Sequence, residues 1–127
     1  MPAAVEEMLR WDPPVQLTTR MVHAPVELDG WRFEPDVEIE LSLASAARDP
    51  GQFPDPDVFD VGRSPNRHLA FGHGAHFCLG APLARLEAQV LFRALAERMP
   101  GLKVDRAGVR RRPGLVLRGL RSLPIDF

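Results

Sequence analysis

One cysteine stands inside a run rich in glycine and histidine, Phe71-Gly72-His73-Gly74-Ala75-His76-Phe77-Cys78-Leu79-Gly80. It is the only cysteine in the chain, so no internal disulfide can form. Cys78 is then apolar filler, a reactive thiol or a metal ligand. Glycines let backbone pass close to something flat or bulky, or adopt φ values closed to other residues. Just beyond the run, Ala81-Pro82 reads as the first turn of a helix, where proline is accepted. That end of a helix offers unpaired N–H groups and partial positive charge, and both favour a thiolate over a thiol. A thiolate is one recognised holder of heme iron, pushing electron density that favours O–O cleavage. A structural zinc ion is the competing chemistry, because His68, His73, His76 and Cys78 make a tight nitrogen and sulfur set.

The elements around this run must position it. Ala3 to Trp11 reads as a short helix, with Val5, Met8 and Leu9 on one face and Asp12-Pro13-Pro14 as its stop. Val15 to Val22 reads as extended. Val26 to Phe33 reads as a hairpin turning at Asp29-Gly30, and Val37 to Leu41 as a half-buried strand. Ser42 to Ala47 fits one helical turn. From Arg48 to Arg67 periodicity disappears; prolines, aspartates and glycine dominate, and long irregular segments of this kind are often functional. Ala81 to Met99 is the strongest helix, with Leu83, Leu86, Val90 and Leu95 as its apolar face and Arg93 and Glu97 as a favourable pair. Two or three short strands follow, including Leu115 to Leu117 and a return over Leu120 to Leu123. The Arg110-Arg111-Arg112 run reads as a solvated loop.

Bulk properties set bounds. The 127 residues suffice for one core, and 16 basic against 17 acidic side chains argue against a nucleic-acid partner. No run approaches the roughly 18 apolar residues of a membrane span, and no signal-peptide pattern opens the chain. The expectation is a soluble, cytoplasmic protein with no membrane association.

The loop 71–80 resembles the heme-binding loop of the cytochrome P450 monooxygenases, whose pattern is F-x-x-G-x-x-x-C-x-G. Phe71, Gly74, Cys78 and Gly80 occupy every fixed position. Two further features stand in the family's order. Glu7-Met8-Leu9-Arg10 is similar to the family's E-x-x-R helix, and Arg63 takes the place of the arginine that joins that pair. Thr18-Thr19-Arg20 follows in the extended segment. The resemblance covers essentially the whole chain and fits the soluble bacterial branch.

The resemblance implies an α+β fold, the C-terminal heme-binding part of the cytochrome P450 fold, with residues 1–127 forming one partial domain. It implies heme b as cofactor and Cys78 as ligand to the heme iron. Arg20 and His76 would bind the heme propionates, while Phe71, Gly72, Gly74, Gly80 and Ala84 would line the proximal face. Glu7, Arg10 and Arg63 would form a structural network, and Val15, Gln16, Leu17, Leu115 and Val116 would belong to the substrate wall. A small organic substrate and a ferredoxin-like or flavodoxin-like electron donor are the implied partners, with Arg67 and Arg85 as basic contacts for the donor. The family's oxygen-activating Ala-Gly-x-acid-Thr helix has no counterpart here. The chain is therefore expected to be truncated relative to a full monooxygenase, to be inactive alone and to expose apolar surface. The alternatives are a non-catalytic interaction module or a small zinc-stabilised domain.

Overall fold

The computed structural model describes residues 1–127. The first helix, α1, spans Pro2–Trp11, with proline in its first turn and Asp12-Pro13 ending it. Next, β1 (Leu17–Met21) pairs antiparallel with β4 (Glu38–Ser42), placing Arg20 opposite Ile39. Between them lies the hairpin of β2 (Val26–Leu28) and β3 (Trp31–Phe33). Its turn residues Asp29 and Gly30 both have positive φ, 49° and 79°, as a tight hairpin turn requires. The Ser42 hydroxyl caps α2 (Leu43–Ala46), accepting the Ser45 N–H at 3.1 Å.

Chain without regular structure then runs to the tight helical turn Gly74–His76. The long helix α3 covers Ala81–Arg98. The tail forms two small antiparallel pairs. One joins β5 (Lys103–Val104) to β8 (Ile125–Asp126), and the other joins β6 (Arg110–Arg111) to β7 (Leu120–Ser122).

Four expectations need correction. Arg110 and Arg111 are strand, not loop: an edge pair exposed on both faces has no apolar alternation to reveal it. Leu115 to Leu117 is not a strand, because only one bridge, Val15 to Leu117, forms there. Leu83, Leu86 and Val90 are exposed on α3, so most of its expected apolar face covers no core within this chain, while Leu95 is half-buried. Arg93 and Glu97 make no ion pair; the charged contacts of α3 run through Arg85 instead.

The core is small: Val5, Val22, Leu43, Ala47, Phe53 and Ala81, with Pro13. Within it lie the fully buried Glu7 and Arg10. The tail is sewn to the start of β1 by Gln16 N–H to the Val116 carbonyl at 2.8 Å and Arg118 N–H to the Pro14 carbonyl at 2.8 Å. An Arg118–Asp12 ion pair at 2.8 Å reinforces that seam.

Candidate functional site

The loop that carries Cys78 is pinned at its base. The Cys78 N–H donates to the Phe71 carbonyl at 3.0 Å, and the Cys78 carbonyl accepts from Ala81 N–H at 3.1 Å, at the start of α3. Two glycines make the path possible, with φ of +74° at Gly72 and +81° at Gly74. Gly80 differs: its φ is −80°, which any residue adopts. The Cys78 thiol is free and exposed.

It opens into a cleft of about 440 Å³. Of the residues singled out in the sequence, the cleft gathers Cys78, Arg20, His76, Phe71, Gly72, Ala84 and Val15. Leu9, Pro14, Thr18, Leu43 and Ala70 complete the wall. Leu9 was legible only as part of the α1 apolar face, and Ala70 carried no signal beyond its position before Phe71. Gly74, Gly80, Gln16, Leu17, Leu115 and Val116 do not line the cleft. Leu115 stands 81% exposed, since its backbone makes no ladder that would turn it inward. Gln16 instead donates from its side-chain amide to the Pro13 carbonyl.

Arg20 lies along its own strand, donating to the Thr19 carbonyl at 2.7 Å and the Thr18 hydroxyl at 3.3 Å. Neither Arg20 nor His76 has a carboxylate partner in the chain, so the cleft holds a cationic and a donor group with no anion of its own.

Behind the cleft, α1 is bolted to the irregular segment. Arg10 grips Glu7 through Nε to Oε2 at 2.8 Å and Nη2 to Oε1 at 2.7 Å. Arg63 Nε reaches the same carboxylate, 3.3 Å from one oxygen and 3.4 Å from the other. Asp60 N–H at 2.8 Å and the Asn66 amide at 3.0 Å complete its acceptor capacity. Both arginines then spend their remaining donors on backbone carbonyls. Arg10 bonds Ala47, Pro56 and Val58, and Arg63 bonds Pro54, Asp55 and Val58. Irregular chain has few backbone partners of its own, so these bonds supply what a helix or sheet would. The Arg48 guanidinium lies 3.7 Å from the Trp11 ring centroid and adds a further fastening. Burial pushes the Glu7 carboxyl upward, but the Arg10 bonds, the Asp60 amide and Arg63 outweigh it and hold it at about 2.

The zinc set does not assemble. No group of three or more His, Cys, Asp or Glu side chains is gathered to hold a metal ion. His68 instead lies 3.1 Å from Glu6. Arg85, read as a partner contact, is paired with Glu6 at 2.8 Å where α1 and α3 pack together, with its side chain 31% exposed.

Known proteins share this fold. The cytochrome P450 family model matches residues 1–98. A biotin biosynthesis cytochrome P450 of Bacillus subtilis is 46% identical over 98% of the chain, which covers 31% of that relative. The cytochrome P450 monooxygenase PikC of Streptomyces venezuelae is 49% identical over 98% of the chain and is covered over 30% of its length. Among solved structures, P450BioI in complex with an acyl carrier protein carrying hexadec-9Z-enoic acid superposes with a TM-score of 0.95 at 45% identity. That match takes in 99% of this chain and 33% of the other. CYP109E1 from Bacillus megaterium, in complex with testosterone, gives 0.94 at 39% identity, over 98% of this chain and 35% of its own. The chain thus spans about a third of the length of the curated relatives it matches. Its fold is the α+β arrangement of that part of these enzymes, whose family cofactor is heme. The chain belongs to the cytochrome P450 family.

Proposed function

We propose that this chain is the proximal, heme-thiolate part of a cytochrome P450 monooxygenase, with Cys78 as the ligand to iron. The observation that carries the reading is the cleft itself. One exposed thiol faces a space of about 440 Å³ with largely apolar walls, and Arg20 and His76 share its lining. A single sulfur is a poor zinc site, which wants four protein ligands. It suits a metal that arrives held in its own organic ring and needs one sulfur donor from the protein. The apolar walls, with Arg20 and His76 lacking any carboxylate partner, suit a flat apolar ring bearing carboxylates. When bound, heme would supply the oxygen chemistry of a monooxygenase.

The chain's own residues would do the holding. Cys78 would supply the sulfur ligand to iron, Phe71, Gly72 and Ala84 would pack the proximal face with Gly80 beside the sulfur, and Gly74 would shape the loop. Arg20 and His76 would fix the propionates. Glu7, Arg10 and Arg63 would keep the irregular segment against α1. Val15, inside the cleft, and Gln16, Leu17, Leu115 and Val116, outside its lining, would form the wall for a small organic substrate. Electrons would come from a ferredoxin-like or flavodoxin-like donor. No helix here is long and apolar enough to cross a membrane.

Hemin titration followed by the reduced carbon monoxide difference spectrum tests the reading. A strongly red-shifted Soret band, lost in Cys78→Ala, is the expected result. No hemin uptake, or an unchanged band in the variant, would sink it. The 127 residues alone are expected not to turn over substrate; turnover with a working electron donor would overturn that part.

A further inference from the structure

A second charged network lies one residue away from the Glu7 group and faces the cysteine loop. Glu6 accepts two parallel hydrogen bonds from Arg85 on α3, Nε to Oε1 at 2.8 Å and Nη2 to Oε2 at 2.9 Å. The same carboxylate lies 3.1 Å from His68 Nε2. His68 Nδ1 accepts the Ala70 N–H at 3.2 Å. That leaves Nε2 as the protonated nitrogen of the neutral ring and the donor to Glu6. Burial holds the His68 pKa down despite the pull of Glu6, which agrees with a neutral ring.

The network continues to the loop. The Arg85 guanidinium lies over the Phe71 ring, 4.6 Å from its centroid. The same ring packs tilted against His68 at 6.2 Å and edge-on to Phe77 at 6.4 Å. The Phe71 carbonyl receives the Cys78 N–H. The path therefore closes on itself: from Phe71 to Cys78, into α3, along to Arg85 and back onto the Phe71 ring. Arg85 meets a carboxylate with its fork and an aromatic ring with its plane, a pairing that lysine cannot reproduce.

We propose that Arg85 is a positioning residue for the cysteine loop: clamped by Glu6, it fixes the ring and carbonyl of Phe71, and through that carbonyl the backbone of Cys78. His68 is the second strut of the same clamp. Adhesion of α1 to α3 would need only a cation opposite Glu6. The stack on Phe71 is what the guanidinium adds. The step from loop to bound iron rests on the heme reading above; the step from Arg85 to the loop does not.

Residue-resolved amide exchange on the full chain tests the first step. Arg85→Lys keeps a cation for Glu6 and removes the planar stack. Protection of the Cys78 amide is expected to fall roughly fivefold, the scale of one lost cation–π contact, with α1 and α3 amides unchanged. Undiminished Cys78 protection overturns the proposal. So does a uniform loss across α1 and α3 with no excess at Cys78. Arg85→Gln should show the same local loss on a less stable background, and if it fails to fold, the lysine variant decides alone. With hemin bound at equal total heme, Arg85→Lys should also lower the share of red-shifted Soret band in the reduced carbon monoxide complex. An unchanged share removes the link to the ligand. A wild-type chain that takes up no hemin sinks the heme reading and leaves amide exchange to decide the role of Arg85.

Discussion

Glu7 and Arg10 meet through two parallel hydrogen bonds of 2.8 and 2.7 Å with neither side chain reaching solvent. An ion pair sealed this way stays stable only because every other polar atom on it is answered, by Asp60, Asn66, Arg63 and a set of carbonyls. Its value lies in joining a helix to chain that has no regular structure.

That pair makes stability depend on acid. The Glu7 carboxyl titrates at about 2 when folded, against an ordinary 4.5. The folded value is the lower one, so the stabilisation is complete above about 4.5 and drains as pH falls toward 2. At about 1.4 kcal/mol per unit, it amounts to about 3 kcal/mol. Urea unfolding across that range should show the slope in the wild type and a flatter one in Glu7→Gln. At neutral pH the variant should lose about 3–5 kcal/mol, because the Arg10 charge stays buried with its partner gone. Equal slopes would exclude Glu7 as the source.

Glycines in the loop should separate by backbone angle. Gly72 and Gly74 have open space where a Cβ would go, so Gly72→Ala and Gly74→Ala meet only the conformational penalty of positive φ. That is about 1–2 kcal/mol each in thermal unfolding. Gly80→Ala should be nearly silent, since its φ is −80° and the new Cβ would lie an ordinary 3.8 Å from Cys78 Sγ. Equal losses at all three positions would disprove the angle argument.

Arg20 and His76 should act on the carboxylates of bound heme. Arg20→Ala and His76→Ala are each expected to weaken hemin binding about tenfold, the scale of one charge-assisted hydrogen bond. Spectral titration measures it, and heme dimethyl ester should bind both variants as well as it binds the wild type. A variant that discriminates against the ester as the wild type does would exclude the contact.

The apolar face of α3 should drive self-association. Leu83, Leu86, Val90 and Leu91 are each more than half exposed along one helix. Sedimentation velocity of the chain should show species that grow with concentration. Val90→Glu should return them toward monomer. Sedimentation that ignores both concentration and the substitution would count against that face.

The sequence was most legible where spacing alone makes contact. The three-residue step from Glu7 to Arg10 puts both on one side of a helix turn, and the pattern around Cys78 pins its place before α3. It was least legible where a partner lies far along the chain and has no side-chain signature. The Ala47, Pro56 and Val58 carbonyls that receive Arg10 could be any residue type. Arg85 reads as a free surface charge until α1 and α3 pack and bring Glu6 beside it. Arg110 and Arg111 lack the alternation of a half-buried strand because neither of their faces is covered. Leu115 and Val116 lie where the tail bonds the turn before β1 only through the Val116 carbonyl, the Arg118 amide and the Leu117 bridge, which leaves these side chains outside.

The seam between that tail and the turn before β1 bears on the order of folding. Pro14 and Gln16 find their partners, Arg118 and Val116, about a hundred residues later, and no short-range contact brings them together. Closing so long a loop carries an entropy cost, which the α1 network and the cysteine loop would lower by shortening the effective distance. Val15, which walls the cleft, is held on one side by that seam and on the other by the Gln16 carbonyl, which accepts from Leu43 and Ala44 of α2. Losing the seam would therefore loosen this wall of the cleft without freeing it, since the α2 bonds remain.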